Sequence, residues 1–297
     1  MKYTEFDLAS DFPNEAACLS WLVDFLYPNG ITCPKCQRIT KHYPMRKRRS
    51  YSCGICGHYT QPLAGTIFYR SSTPLTVWFR AIYKITATRA GISAKQLERE
   101  LGVTYKTAWR MLHQIRDIMN DDDDEPLSGK IEIDEAYIHA DTRKRSSAQK
   151  RYGRNGRDGH GQILFGMVER GGAVKIRHVR SSGVRVLAPA IEHSVTKGSV
   201  VYSDDYGSYR TLKKRGYEHQ TTNHSKFQFV DGDNYTQNIE NVWSHLKRGI
   251  KGVYRHVSPR HLQRYANEFA FRYSHRNDEQ PMFYSLLEQV KKDATSS

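Results

Sequence analysis

Apolar residues first recur at helical spacing near the start of the chain. Ala17, Leu19, Leu22, Val23 and Leu26 share one face before Pro28-Asn29-Gly30 ends the run, so a short entry helix is predicted over 13–27. From Pro74 to Met119 the pattern returns, through Trp78, Ile82 and Ile85, then Ile92, Leu97 and Leu101, then Ala108, Leu112 and Ile115. Gly102 breaks the last two runs apart and Thr104 can cap the second. This is a helix-turn-helix in outline, whose second helix would offer Tyr105, Lys106 and Arg110 to a major groove; a plain helical hairpin is the alternative.

Beyond residue 129 the period changes to two. GKIEIDEAYIHA, GQILFGMVER and GGAVKIRHVR read as strands, VRVLAPAIEHSV as a helix, KGSVVYSDD as a strand, DYGSYRTLKKRG as a short helix and YEHQTTN as a fifth strand. A helix at 236–250 follows, and another at 259–273 presents Leu262, Tyr265, Phe269 and Phe271 for packing. That order predicts a mixed α/β fold, a sheet flanked by helices.

In NIENVWSHLKRGI, residues 238 to 250, the residues Ile239, Val242, Trp243, Leu246 and Ile250 fall within one arc at 100° per residue. Glu240 and Lys247 lie along the edge of that arc. Solvated charges on a helix commonly border a core in this way, so the pair gains meaning only from the rest of the chain.

Charge narrows the class. The 297 residues carry a net +15, and the excess survives on both sides of an acidic run, DDDDE at 121–125: net +9 before it and +11 after. A basic balance of this size favours a polyanionic partner such as nucleic acid or an anionic membrane surface. No stretch approaches the roughly 20 apolar residues of a membrane span, and MKYTEFDLAS lacks a secretory pattern, so a soluble cytoplasmic protein is expected. The segment DTRKRSSAQKRYGRNGRDGHG, with Arg143, Lys144 and Arg145, has no apolar period and reads as a basic loop for phosphate contacts. The acidic run is the natural boundary. It divides the chain into an entry helix and cysteine-rich module at 1–70, a helical DNA-binding region at 71–120, a linker at 121–129 and the sheet domain with its C-terminal helices at 130–297.

Four of the five cysteines form two pairs, CPKC at 33–36 and CGIC at 53–56. Cys33, Cys36, Cys53 and Cys56 match a zinc ribbon, where four thiolates close a tetrahedral structural site. His58 reads as surface, and Cys18 as a small buried hydrophobe.

Three acids carry the candidate chemistry. Alternation in the first strand places Ile131 and Ile133 on one face and Glu132 and Asp134 on the other; Asp204 ends the fourth strand; Glu240 opens the helix at 236–250. If the first and fourth strands are neighbours and that helix packs across them, the carboxylates converge. Hard cations such as Mg²⁺ or Mn²⁺ take oxygen ligands, and two of them can serve an in-line phosphoryl displacement. Crowded like charges would themselves favour a bound cation.

Asp134, Asp204 and Glu240, with 35 residues between the last two and Lys247 seven beyond the Glu, resemble the DDE signature of transposases and retroviral integrases. The order of entry helix, zinc ribbon, helix-turn-helix and DDE domain resembles more narrowly the ISXO-like insertion-sequence transposases, over nearly the whole chain. Matching stretches are CPKC with CGIC, GTIF leading to PLTVWFRAIY, IEIDEAYI, YSDDYGSY, IENVWSHLKRGIKGVYRHVS and HLQRYANEFAFRYSHRN. The resemblance implies a ribonuclease-H-like catalytic domain, with Asp134, Asp204 and Glu240 as catalytic metal ligands and Lys247 and Arg248 as DNA contacts. It implies a double-stranded DNA partner, both terminal inverted repeats and target, and a homodimer or higher oligomer in the synaptic complex. The implied reaction is hydrolysis at the element's ends, then attack of the freed 3′ hydroxyl on target DNA. The run Thr236-Gln237-Asn238 departs from the Thr-Asn that many relatives carry three residues before the Glu. Rival readings are a zinc-ribbon transcriptional regulator and a junction-resolving nuclease on the same fold.

Overall fold

The computed structural model describes residues 3–45, 48–120, 125–139, 161–204, 209, 211–222 and 236–290. The acidic residues at 121–124 and the basic loop with Arg143, Lys144 and Arg145 lie outside them. The chain divides into two compact units, the first comprising 1–88, 94–118 and 278–297, the second 89–93 and 119–277.

In the first unit, α1 (Glu5–Asp11) opens on a capping box: the Asp7 backbone N–H donates to Thr4 Oγ1 at 3.3 Å, and the Thr4 backbone N–H to Asp7 Oδ2 at 2.8 Å. α2 (Glu15–Leu26) is capped by Asn14, which accepts from the Ala17 backbone N–H at 3.0 Å. It buries Cys18, whose thiol burial pushes up to about 12. Short strands follow, β1 (Thr32–Cys33) paired with β2 (Arg38–Ile39), then β3 (His42–Pro44), β4 (Tyr51–Cys53) and β5 (Tyr59–Thr60) in one antiparallel sheet. α3 (Leu75–Ala87) buries Leu75, Trp78, Phe79, Ile82 and Ile85. Its first turn has no side-chain cap of its own; Glu15 Oε2 accepts from the Leu75 N–H at 2.6 Å while its other oxygen meets Arg49 Nε at 2.6 Å. α4 (Ala94–Leu101) and α5 (Tyr105–Ile118) are joined by a short turn in which Gly102 has φ 66°, a left-handed conformation suited to glycine. Thr104 Oγ1 accepts from the Thr107 N–H at 3.3 Å, the cap the sequence predicts.

The C-terminal helix, Met282–Leu287, packs in this first unit against α3, where Phe283 joins Phe79, Phe12 and Tyr3 in an aromatic cluster with ring centroids 4.7 to 6.1 Å apart. The sequence reading leaves this helix with the sheet domain; its large aromatic residues find their partners on either side of α1 and on α3 instead. α1 is likewise absent from that reading, being short and largely exposed.

The second unit is a five-stranded mixed sheet. β6 (Lys130–His139), β7 (Gly161–Glu169) and β8 (Val174–Val179) form an antiparallel meander; β9 (Val200–Asp204) joins β6 in parallel, and β10 (Glu218–Thr222) joins β9 in parallel. The spatial order is β10-β9-β6-β7-β8. Between β8 and β9, α6 (Val184–Ser194) covers one face, where Leu187 and Ile191 meet Ile131, Ile133, Phe165 and Met167. On the other face α7 (Gln237–Gly249) and α8 (Leu262–Ser274) bury Ile239, Trp243, Leu246, Ala266 and Phe269 against Ala136, Leu164 and Val168. The short helix expected over DYGSYRTLKKRG is represented among the described residues by tight turns, one closed by the Leu212 N–H on the Tyr209 carbonyl at 3.0 Å and one at Lys213–Arg215.

Two close approaches set the layer spacing. A Cβ on Gly166 would stand 2.6 Å from Ile239 Cδ1 and from Trp243 Cζ2, and one on Gly249 would stand 2.2 Å from Phe269 Cζ. The missing side chains let α7 lie directly on β7 and α8 directly on α7. At the sheet margin, Gln263 of α8 donates through Nε2 to the Ile176 carbonyl at 2.8 Å and accepts from the His178 N–H at 2.6 Å. Those bonds occupy backbone groups of edge strand β8 that would otherwise invite pairing.

Candidate metal and nucleic-acid sites

In the first unit the four paired cysteines come together. Their sulfur atoms all lie within 4.8 Å of one another, with Cys33 and Cys56 at 3.6 Å and Cys36 and Cys53 at 3.9 Å. Thiolates bound at about 2.3 Å in a tetrahedron stand about 3.8 Å apart, so the cluster fits Zn²⁺. Backbone N–H groups of Cys36 and Ile55 point at Cys33 Sγ and Cys53 Sγ at 3.4 and 3.5 Å, and the Thr40 hydroxyl lies 3.1 Å from Cys53 Sγ. The Thr40 bond, with the backbone donors, holds the Cys53 thiol down at about 5. His58 is exposed and takes no part in the cluster.

The predicted acids stand on one face of the second unit. Register explains how: β6 and β9 run parallel, with Lys130, Ile131 and Glu132 opposite Val200, Val201 and Tyr202, and their ladder ends there. The same offset carried two residues further sets Asp134 level with Asp204, where the strands are no longer paired. A crevice at the carboxyl ends of neighbouring strands is the usual place for a ligand in an open α/β sheet. α7 crosses this point with Glu240 in its exposed first turn.

Burial pushes the Asp134 carboxyl up to about 6, with the charges of Asp204 and Glu240 adding to it, against donors from the Glu135 backbone and Trp243. Asp134 therefore feels the charge of both other acids. As a donor set, carboxylate oxygens fit a hard divalent cation. Asp134 and Asp204 are half-buried and Glu240 is exposed.

Neighbours that the sequence reading did not single out shape this centre. Trp243 donates from Nε1 to Asp134 Oδ2 at 3.0 Å, and Gly166, opposite Asp134 in the β6–β7 register, makes room for its ring. Glu135 points to the other face, against the buried Tyr209, and burial pushes its carboxyl up to about 7, with Asp134 and Asp204 adding. Glu132 is fully buried and engages Arg170 and Asn238. Only its alternation with Asp134 was visible in the sequence.

The predicted cationic contacts fall in three places. Lys247 and Arg248 are exposed in the last turn of α7, and Lys251, one turn after Lys247, extends their row. Tyr105 and Lys106 are exposed at the start of α5, with Trp109 beside them, 38 % exposed. Arg110 is drawn inward: its guanidinium reaches Gln114 Oε1 at 3.2 Å, approaches Ser71 and Thr73 hydroxyls at 3.5 Å and lies over the Trp78 ring. It is thus less available for an outside partner than the sequence suggests. Arg143, Lys144 and Arg145 lie outside the described residues.

Residues 126–274, half of the chain and nearly all of the second unit, match the family described as the ISXO2-like transposase domain. The chain belongs to that family. Residues 13–59 of the transposase match a transposase zinc-ribbon domain, in agreement with the sulfur geometry. A protein of Halobacterium salinarum described as an uncharacterized protein in transposable element ISH50 is 27 % identical over 277 residues, covering 88 % of this chain and 91 % of that one. An uncharacterized transposase-like protein of Haemophilus influenzae is 32 % identical over 106 residues, covering 36 % of this chain and 83 % of its own. Among solved structures, a pre-cleavage Mos1 transpososome aligns with 71 % of this chain and 74 % of its own at 10 % identity and a TM-score of 0.30. No helix among the described residues is long and apolar enough to cross a membrane.

Proposed function

We propose that this transposase cuts DNA at the ends of its element and joins them to target DNA through a divalent-metal site formed by Asp134, Asp204 and Glu240. The observation that carries the reading is the β6–β9 register, which brings Asp134 level with Asp204 just beyond the point where those two strands part, together with the charges of Asp204 and Glu240 that Asp134 feels. The strand order β10-β9-β6-β7-β8, a three-stranded meander extended by two parallel strands, supports the ribonuclease-H-like assignment that the resemblance implies.

Each acid has a part set by its place. Asp134 anchors the site from the middle of the sheet, oriented by the Trp243 indole. Asp204 faces it across the crevice, and Glu240 closes the exposed side. When bound, a pair of Mg²⁺ or Mn²⁺ ions would activate the attacking oxygen and stabilise the leaving one. Lys247, Arg248 and Lys251 border the same helix and hold the DNA backbone near the acids; phosphate contacts of this kind position without specifying sequence. Tyr105 and Lys106, which the helix-turn-helix reading names, and Trp109 beside them provide a second DNA surface on α5, with Zn²⁺ on the four cysteines holding the ribbon. Assembly of two or more copies on double-stranded DNA belongs to the same proposal.

The test is cleavage of linear DNA carrying the element's ends in Mg²⁺, by wild type and by Asp204→Asn. Cleavage by wild type alone supports the reading. Equal activity or equal inertness rejects it, the latter favouring a DNA-binding regulator; preference for branched DNA without terminal repeats would favour a resolvase.

A further inference from the structure

Glu132 has 0 % exposure, and a carboxylate this deep is costly unless its oxygens are fully met. Here they are met from two directions. Oε1 accepts from Arg170 Nε at 2.8 Å and from Asn238 Nδ2 at 2.8 Å; Oε2 accepts from the backbone N–H groups of Asn238 at 2.9 Å and Ile239 at 3.1 Å. The last two are free donors of the first turn of α7, where Thr236 supplies no side-chain cap. A carboxylate at that end also meets the positive pole of the helix. The cap of α7 thus comes from a strand more than a hundred residues earlier in the chain.

The same cluster reaches a second strand, β9. The Arg170 guanidinium that binds Glu132 lies 3.9 Å from the centroid of the Tyr202 ring on β9, and Tyr202 is the register partner of Glu132. Three members of this cluster, Glu132, Tyr202 and Asn238, each stand two residues before one of the acids, Asp134, Asp204 and Glu240 respectively. On β6 and β9 that spacing means the same face of the sheet, about 7 Å further along the strand.

We propose that Glu132 is the positioning residue of the carboxylate site: by capping α7 and holding Arg170 against Tyr202, it fixes the spacing of Asp134, Asp204 and Glu240 and so sets the affinity for the divalent cation. The inference rests on the metal reading of those three acids. It also gives the amide of Asn238 a role: binding Glu132 rather than substrate. Glu15 caps α3 in the first unit with a similar Arg–Glu pair, but no cluster of acids follows there.

Mn²⁺ binding by the zinc-loaded full chain, without DNA, tests this by electron paramagnetic resonance, with melting temperature measured in parallel. Glu132→Gln keeps the shape but gives up the charge; Asn238→Ala removes one of the four bonds and leaves the backbone cap in place. Glu132→Gln is expected to weaken Mn²⁺ binding about tenfold, the scale on which partners that orient metal ligands act. Asn238→Ala is expected to weaken it several-fold, with the metal-free melting temperature near wild type, and excess Mn²⁺ should restore DNA cleavage in both. If Glu132→Gln does not fold, Asn238→Ala decides alone. Folded variants that bind Mn²⁺ as tightly as wild type overturn the clamp while leaving the metal site intact. A wild type that binds no Mn²⁺, or an Asp134→Asn variant that binds it equally well, overturns the metal reading and the clamp with it.

Discussion

The indole of Trp243 donates to Asp134 Oδ2 at 3.0 Å, so an aromatic residue from the core stripe of α7 orients an acid in the sheet below it. The bond depends on Gly166, whose missing side chain leaves the space that the ring fills. Gly166→Ala would place a Cβ 2.6 Å from Trp243 Cζ2, and the rigid ring has little freedom to yield. The expected cost is about 1–3 kcal/mol in denaturant unfolding, with cleavage reduced further than stability because the acid loses its donor. Trp243→Phe should keep most of the packing and lower cleavage alone; unaltered activity would show that the bond does not matter.

The acids should make the metal-free protein sensitive to pH. A raised carboxyl costs nothing below its unfolded value, near pH 4, and costs most above its folded value, so stability falls as pH rises through about 6 for Asp134 and 7 for Glu135. Asp134→Asn removes part of that cost. In thermal melts of zinc-loaded protein free of other divalent ions, the variant should exceed wild type at pH 8 by on the order of 2 kcal/mol. The gap should shrink toward pH 5; a constant gap would contradict this origin.

Zinc removal should act on the first unit. With the metal chelated, the four sulfurs lose the bond network that replaces a core between β1 and β5, and protease sites should open between residues 30 and 60. The sheet of the second unit should keep its protection in hydrogen exchange. Cys53→Ser should reproduce the effect, while Cys18→Ser should not.

Two cationic surfaces predict different binding behaviour. Lys247→Ala and Lys251→Ala should each weaken binding to all DNA sequences alike and reduce the slope of log K against log salt by about 0.9 for each phosphate no longer neutralised. Changes at Tyr105 or Trp109 on α5 should alter preference between end DNA and random DNA. Gel-shift titrations at several salt concentrations separate the two, and identical profiles would reject the division of labour.

Much of this site is legible along the chain, for physical reasons that differ by residue. Asp134 and Glu132 declare a shared face because strand alternation has no other solution once Ile131 and Ile133 are buried. Glu240 is visible at the edge of an apolar arc, and the cysteines by spacing alone. What alternation cannot supply is register. That Gly166 lies opposite Asp134, or that Tyr202 lies opposite Glu132, depends on how strands distant in sequence slide against one another. Trp243 looks like any core tryptophan until its indole finds an acceptor, and Arg110 like any exposed arginine until Ser71 and Thr73 come beside it. The C-terminal helix carries too few residues for a period to reveal which core it joins.

Anomalous scattering from Mn²⁺ in crystals of the zinc-loaded protein would locate the metal among the three acids directly. Density is expected between β6, β9 and the first turn of α7, within about 2–2.3 Å of carboxylate oxygens from Asp134, Asp204 and Glu240. Ordered carboxylates with no peak between them at saturating Mn²⁺, or a peak held by other side chains, would contradict it.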